Sequence, residues 1–245
     1  MRKYLVIVFA ALAALALANF AFAGSTVPQQ TITAKLTPTK LPKKKFKPAK
    51  IFVDIETQNN DEAPAPPGSN EPPKANRTVV DFPKNMKFDT KAVPKCKKGS
   101  AALEGTSTAT AKKTCGNKSI VSVPTTDAVV GVGGPSSTLD VPVVVTAFNG
   151  NKPNTLYLHA RVESLGITSV LVGKLKKGPS GYGSTLDVTV PPLTAGGIKS
   201  FRTTVKAGKY VQARCKSKNM TFRATSTYTN HSKTVDTYDT KCKQK

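Results

Sequence analysis

Tyr157, His159, Arg161 and Glu163 alternate along one short segment, a spacing that sets four polar side chains on one face of a single β-strand. An imidazole between a phenol, a guanidinium and a carboxylate could bind a carboxylate ligand or work in acid–base chemistry. Leu156, Leu158, Ala160 and Val162 point the other way, towards a core. The simpler expectation for the four polar residues is therefore a solvated outer face satisfied by cross-strand pairing. The second histidine, His231, falls in Asn230-His231-Ser232, which reads as a hairpin turn.

Carboxylate pairs would suit glycoside hydrolysis, but Asp54, Asp81, Asp140, Glu163 and Asp187 are scattered through the chain. No G-x-S-x-G elbow, S-x-x-K, H-E-x-x-H or phosphate-loop sequence occurs. Gly131-Val132-Gly133-Gly134-Pro135 resembles a phosphate loop superficially, without the helix that one needs. No catalytic assignment and no cofactor follow.

The charge is the most unusual feature. Lysine and arginine number 37 against 14 acids, a formal net charge of +23. One basic stretch comprises Lys40, Lys43, Lys44, Lys45, Lys47 and Lys50 around Phe46; a second runs from Lys199 to Arg223. Such a surface attracts polyanions and repels copies of itself. Without a nucleic-acid motif, diffuse electrostatic attachment to anionic cell-envelope polymers or lipid headgroups is expected in preference to sequence-specific nucleic-acid binding. High lysine content also keeps the edge strands of an exported β protein unpaired.

Export is written in the first residues. Arg2 and Lys3 precede an apolar run from Tyr4 to Phe22 that ends in Ala21-Phe22-Ala23, the small-x-small pattern of a signal-peptidase site. Residues 1–23 are expected to be a cleaved leader, and residues 24–245 a single β-rich domain without a transmembrane anchor. Cys96, Cys115, Cys215 and Cys242 then suit two disulfides in an oxidising compartment. Closeness in sequence favours Cys96–Cys115 and Cys215–Cys242, with loops that each contribute on the order of 3 kcal/mol. Zinc is disfavoured, because no C-x-x-C spacing exists and only two histidines are present.

The elements that must carry these residues are strands. Apolar residues recur with a period of two at Ile32, Ala34 and Leu36, at Ile51, Val53 and Ile55, and at Leu139 through Ala147. The same pattern continues from Leu156 to Val162 and from Phe222 to Ala224, with Asn149-Gly150 before the first of these as a strong hairpin turn signal. Eighteen prolines and 17 glycines punctuate them. The proline-rich segment 59–75 is expected to be an exposed loop joining two strands of one hairpin. Between Cys96 and Cys115 the alternation lapses, and alanines behind Ser100 as a cap suggest one short helix. The expected fold is all-β: an antiparallel β-sandwich, with a barrel as the alternative.

Several short segments occur in a familiar order: Lys40-Leu41-Pro42-Lys43-Lys44, Val79-Val80-Asp81-Phe82, Val144 to Gly150, Leu156-Tyr157-Leu158-His159-Ala160 and Ala213-Arg214-Cys215. In this the chain resembles a group of uncharacterised exported β-rich proteins of high-GC Gram-positive bacteria. That resemblance implies export and β architecture and carries no chemistry. Three functions are consistent with the sequence: a non-enzymatic adherent protein, an extracellular hydrolase with a carboxylate or histidine site, and a ligand- or protein-binding β-sandwich module.

Overall fold

The computed structural model describes residues 27–60, 74–122, 127–132, 139–191, 197–206, 208–229 and 232–245. The expected leader, the greater part of the proline-rich segment and His231 lie outside the described residues. Among those described, no helix is long and apolar enough to cross a membrane.

β1 (Val27–Thr37) pairs along its whole length with β4 (Lys50–Asn60), and the short β2 (Lys40–Leu41) and β3 (Lys47–Pro48) lie in the connection between them. β5 (Ala75–Pro83) and β6 (Met86–Phe88) lead into the Cys96–Cys115 excursion. Five strands then follow in an antiparallel meander: β7 (Asp127–Val132), β8 (Leu139–Asn149), β9 (Thr155–Val162), β10 (Ile167–Lys177) and β11 (Tyr182–Thr189). β12 (Gly197–Val205) and β13 (Val211–Ala213) precede the hairpin of β14 (Asn219–Tyr228) and β15 (Lys233–Lys241), and β16 (Lys243–Gln244) ends the chain.

Eleven strands form one sheet, in the order β1-β4-β12-β7-β8-β9-β10-β11-β5-β14-β15. The fold is all-β, as its alternation predicts, and every pairing within this sheet is antiparallel. The sheet folds back until its two edges meet. There the Ile32 amide donates to Asp236 Oδ2 at 2.8 Å, and the Thr240 hydroxyl donates to the Ala34 carbonyl. Inside lies the main core, built from Ile32, Leu36, Ile51, Val53, Val80, Val145, Leu158 and Phe222 among others. The period-two pattern forms strands because it gives each one dry and one wet face.

Two expectations need correction. The strands flanking the proline-rich segment are not hairpin partners: β4 pairs with β1 and β12, β5 with β11 and β14. Asn59, Asn60 and Ala75 themselves belong to those strands. The helix α1 spans Thr108–Cys115 and is capped by Ser107, whose hydroxyl accepts from the Thr110 amide at 3.1 Å. Ser100 instead opens a single 3-10 turn over 100–103, because Gly105, in the left-handed region at φ 67°, breaks the segment in two.

Asn149-Gly150 does mark a hairpin, the one that joins β8 to β9. The connection spans residues 150–154, and the left-handed residue is Asn154, at φ 54°. Asn149 is buried, and its amide donates to the Thr90 and Val93 carbonyls at 2.9 and 2.7 Å, tying down the segment before Cys96. Gly150 is required for space: a Cβ there would stand 2.8 Å from the Thr155 carbonyl oxygen.

Candidate functional site

The disulfides join Cys96 to Cys115 and Cys215 to Cys242. Each organises one of the two regions that the sequence singles out.

The first region is the outer face of β8, β9 and β10. Register sets Phe148 opposite Tyr157, Tyr157 opposite Val172, and His159 between Thr146 and Val170. Here the expected solvated face does not exist. The Cys96–Cys115 excursion covers it, and Leu103, Ala111, both cysteines, Ile120, Phe148, Tyr157 and Val170 form a second small core. Tyr157 is 3% exposed and His159 is fully buried.

The polar groups fasten that cover. Thr106 donates its hydroxyl to the Leu103 carbonyl at 2.7 Å, so its contact with His159 Nε2 at 3.2 Å is one in which the ring donates. The proton therefore sits on Nε2, which also approaches the Thr106 carbonyl at 3.1 Å, and Nδ1 is left buried without a partner. Arg161 Nη1 donates to the same carbonyl at 3.2 Å and to Thr168 Oγ1 at 2.8 Å, while the Thr168 hydroxyl donates to that carbonyl at 2.9 Å. Glu163 accepts from Thr108 at 2.7 Å and from Arg161 Nε at 2.8 Å, and these bonds hold its carboxyl below the usual range. The Tyr157 hydroxyl donates to Asn151. Burial pushes the His159 pKa down, a change that its bond to Thr106 only partly offsets.

Tyr157, His159, Arg161 and Glu163 are thus brought together, but as a clasp. An imidazole with no accessible surface and no carboxylate at Nδ1 has neither the access nor the orientation of a general base. The scattered carboxylates are committed elsewhere. Asp54 and Glu56 share Arg202 at 3.0 and 3.1 Å, and burial raises Asp54 in spite of that partner. Asp81 meets Arg223 at 2.7 Å; Asp187 meets Arg77 at 2.8 Å and Lys176 at 2.7 Å, which hold its pKa near about 2. Asp140 has no described side chain. No three His, Cys, Asp or Glu side chains cluster as metal ligands among the described residues. Gly131 and Val132 are strand residues of β7, and Gly133 to Pro135 lie outside the described residues.

The second region is one end of the molecule, assembled around Cys215–Cys242. β3, β13 and β6 form a three-stranded sheet, and β16 lies parallel to β2. Backbone bonds knit them: the Cys215 amide to the Pro42 carbonyl, Arg214 to Asn85, Cys242 to Lys218 and Lys245 to Leu41. Four segments distant in sequence, 38–50, 83–88, 206–219 and 241–245, therefore share one pole.

Those segments contain no acid. They hold the six lysines of 40–50, then Lys84 and Lys87, Lys206 and Lys209, Arg214, Lys216 and Lys218, and finally Lys241, Lys243 and Lys245. All sixteen cations but Arg214 are exposed. None is in an ion pair among the described residues, whereas the ion pairs given above all lie on the large sheet. Phe46 is half-buried between two of them, with Arg214 4.5 Å and Lys87 4.8 Å from its ring centre. Arg214 also donates to the Lys44 carbonyl at 3.3 Å.

Sequence reasoning found the Lys40–Lys50 stretch and the 199–223 concentration but did not join them. It missed the contributions of Lys84, Lys87 and the C-terminal lysines. The signal available was the absence of any acid from all four segments. No protein-family model matches the chain, and no curated protein is significantly similar to it.

Proposed function

We propose that this is an exported, non-catalytic protein whose cationic pole adheres to an anionic polymer of the cell envelope. The observation that carries this reading is the gathering of sixteen cations, none in an ion pair among the described residues, on one disulfide-braced end where Asp89, bonded through its amide to Tyr210, is a neighbouring acid. A pole of this kind creates a potential of several kT and concentrates polyanions at its surface. Its partners are recognised by charge density, so attachment is salt-dependent, with screening over about 8 Å at physiological ionic strength. The two disulfides suit the oxidising side of a membrane, and the likeness to exported proteins of high-GC Gram-positive bacteria supplies the setting. A hydrolase is disfavoured because the carboxylates and His159 that it would need are bound to cations or buried.

The test is retention of the disulfide-bonded protein on immobilised linear polyphosphate as salt is raised. Steep loss of retention is expected, and Lys43→Gln/Lys44→Gln/Lys45→Gln should lower the log–log salt slope by about 2, at roughly 0.7 per phosphate contact. Lys98→Gln/Lys113→Gln/Lys118→Gln, on the excursion, removes the same charge and should change the slope much less. Equal slopes for the two triple variants would reduce the pole to mere net charge and overturn the reading. Salt-independent retention would do the same.

A further inference from the structure

The interior of the curled sheet is not filled. Inward-facing side chains of β4, β5, β6, β8, β9, β10, β11, β12 and β14 surround a cavity with an empty volume of about 1020 Å³, counted to its open mouth; the centre of a water molecule can move through about 110 Å³ of it. The larger figure takes in open solvent and the smaller lies below the range of drug-sized sites, so a long chain bound here would project through the mouth. The wall is aliphatic in the main, with Leu156, Leu158, Leu171, Leu186, Val188 and Ile198 in it, and no charged residue among those described lines it. Phe201, Thr203 and Val205 face inward from β12 yet are only half-buried, so the space is reachable. Mid-strand Gly173 helps to keep it open, because a Cβ there would stand 2.9 Å from Leu186 Cδ1.

One polar group in this wall lacks a partner. Tyr210 is 3% exposed, lies in the wall beside Phe88, and its buried hydroxyl makes no hydrogen bond. An orphaned buried hydroxyl is costly, and a ligand that supplies an acceptor would relieve it. Tyr210 stands at the cationic end, directly after Lys209 and before β13. An anionic acceptor is therefore favoured there over a cationic head.

We infer that the cavity binds a long-chain carboxylate, its aliphatic tail among the leucines and valines of the interior and its head accepting from Tyr210. The site is distinct from the polyanion surface. It uses only the field of the pole, not its adhesion.

Titration of the disulfide-bonded protein with palmitate, followed by calorimetry and native mass spectrometry, tests this. A one-to-one complex is expected. Tyr210→Phe should bind palmitate about tenfold more weakly, the loss expected for a bond to a charged group, while the melting temperature holds or rises because an unpaired hydroxyl has gone. Thr203→Phe, which places bulk inside the cavity, should abolish binding by a protein that still melts cooperatively. Hexadecyltrimethylammonium should not bind. Absence of a palmitate complex overturns the inference, as does unchanged affinity in Tyr210→Phe or equal affinity for the cationic amphiphile. The Lys43→Gln/Lys44→Gln/Lys45→Gln variant should keep palmitate binding, so failure of the adhesive reading and failure of this one are separable.

Discussion

Two disulfides of similar span brace two regions to opposite ends. Cys96–Cys115 presses an excursion with little regular structure onto the outside of the sheet, and the Thr106, Arg161, Glu163 and Thr168 side chains are consumed in holding the cover down, while His159 Nδ1 and Asn149 Oδ1 stay buried without a partner. Cys215–Cys242 instead ties the base of the β14–β15 hairpin to short strands whose lysines stay in water. The difference lies in the side chains. Phe148, Tyr157, Val170 and Val172 give the first region an apolar patch to hide, whereas the second presents cations that repel one another and need covalent and backbone bracing to remain together. A residue type suited to chemistry is therefore no guide to function until its surroundings are known: the histidine is structural, and the unremarkable lysines carry the proposed activity.

The largest effect expected is from removing each disulfide in turn. With sequence separations of 19 and 27 residues, loop entropy gives about 3 kcal/mol for each and a difference of only about 0.3 kcal/mol. Any larger difference reports what the bridge holds down. Cys96→Ser/Cys115→Ser should loosen the excursion, make His159 reactive towards diethylpyrocarbonate and leave polyphosphate retention nearly intact. Cys215→Ser/Cys242→Ser should do the reverse, with His159 protected and retention weakened as β2 and β16 part. Urea midpoints and the two reactivity assays measure this together. Identical phenotypes would show the two regions to be one cooperative unit.

A smaller effect sharpens the first region alone. Burial lowers the folded-state pKa of His159 below the unfolded value near 6.5. Between the two values the unfolded chain binds more protons, so stability is full above about pH 6.5 and falls as pH drops towards the folded pKa. Of the charges beside the ring, Arg161 adds to the depression and Glu163 opposes it. Urea midpoints taken at pH 8, 6.5 and 5 should decline for the native protein and flatten over that window for His159→Gln. Asp187 acts lower: with its pKa held near about 2, its contribution fades only from about pH 3.8 downwards. A slope that survives His159→Gln would move its origin away from the clasp.

The strands were legible because an alternating pattern has one physical meaning, a pleat with one dry face. The failures have an equally definite cause. Alternation from Leu156 to Val162 implied a wet opposite face, yet Val144-Val145-Thr146-Ala147-Phe148 and Val170-Leu171-Val172 are runs that place apolar groups on both faces. Such runs mark a strand buried on two sides, and they announced the cover over His159. Asn149-Gly150 located the β8–β9 hairpin, but local turn chemistry did not show that the Asn149 amide is buried and serves two distant carbonyls. Assembly of the pole depended on contacts between segments about two hundred residues apart, such as Lys40 with Lys243. Periodicity says nothing of those.

The smallest effect distinguishes a structural from a binding role inside the second region. Phe46 stacks with Arg214 and Lys87, and cation–π contacts at exposed sites contribute about 0.5–1 kcal/mol each. Phe46→Leu keeps an apolar side chain on the surface but loses the ring quadrupole, so about 1 kcal/mol of stability should be lost. The Arg214 bond to the Lys44 carbonyl does not involve the ring and should persist. If the ring only spaces the cations, retention on polyphosphate should change by less than twofold, because the number of charges is unchanged. If retention falls steeply while the urea midpoint hardly moves, the ring itself contacts the ligand. The pole would then be a shaped recognition site, and the contrast with the clasp would become one between two built structures.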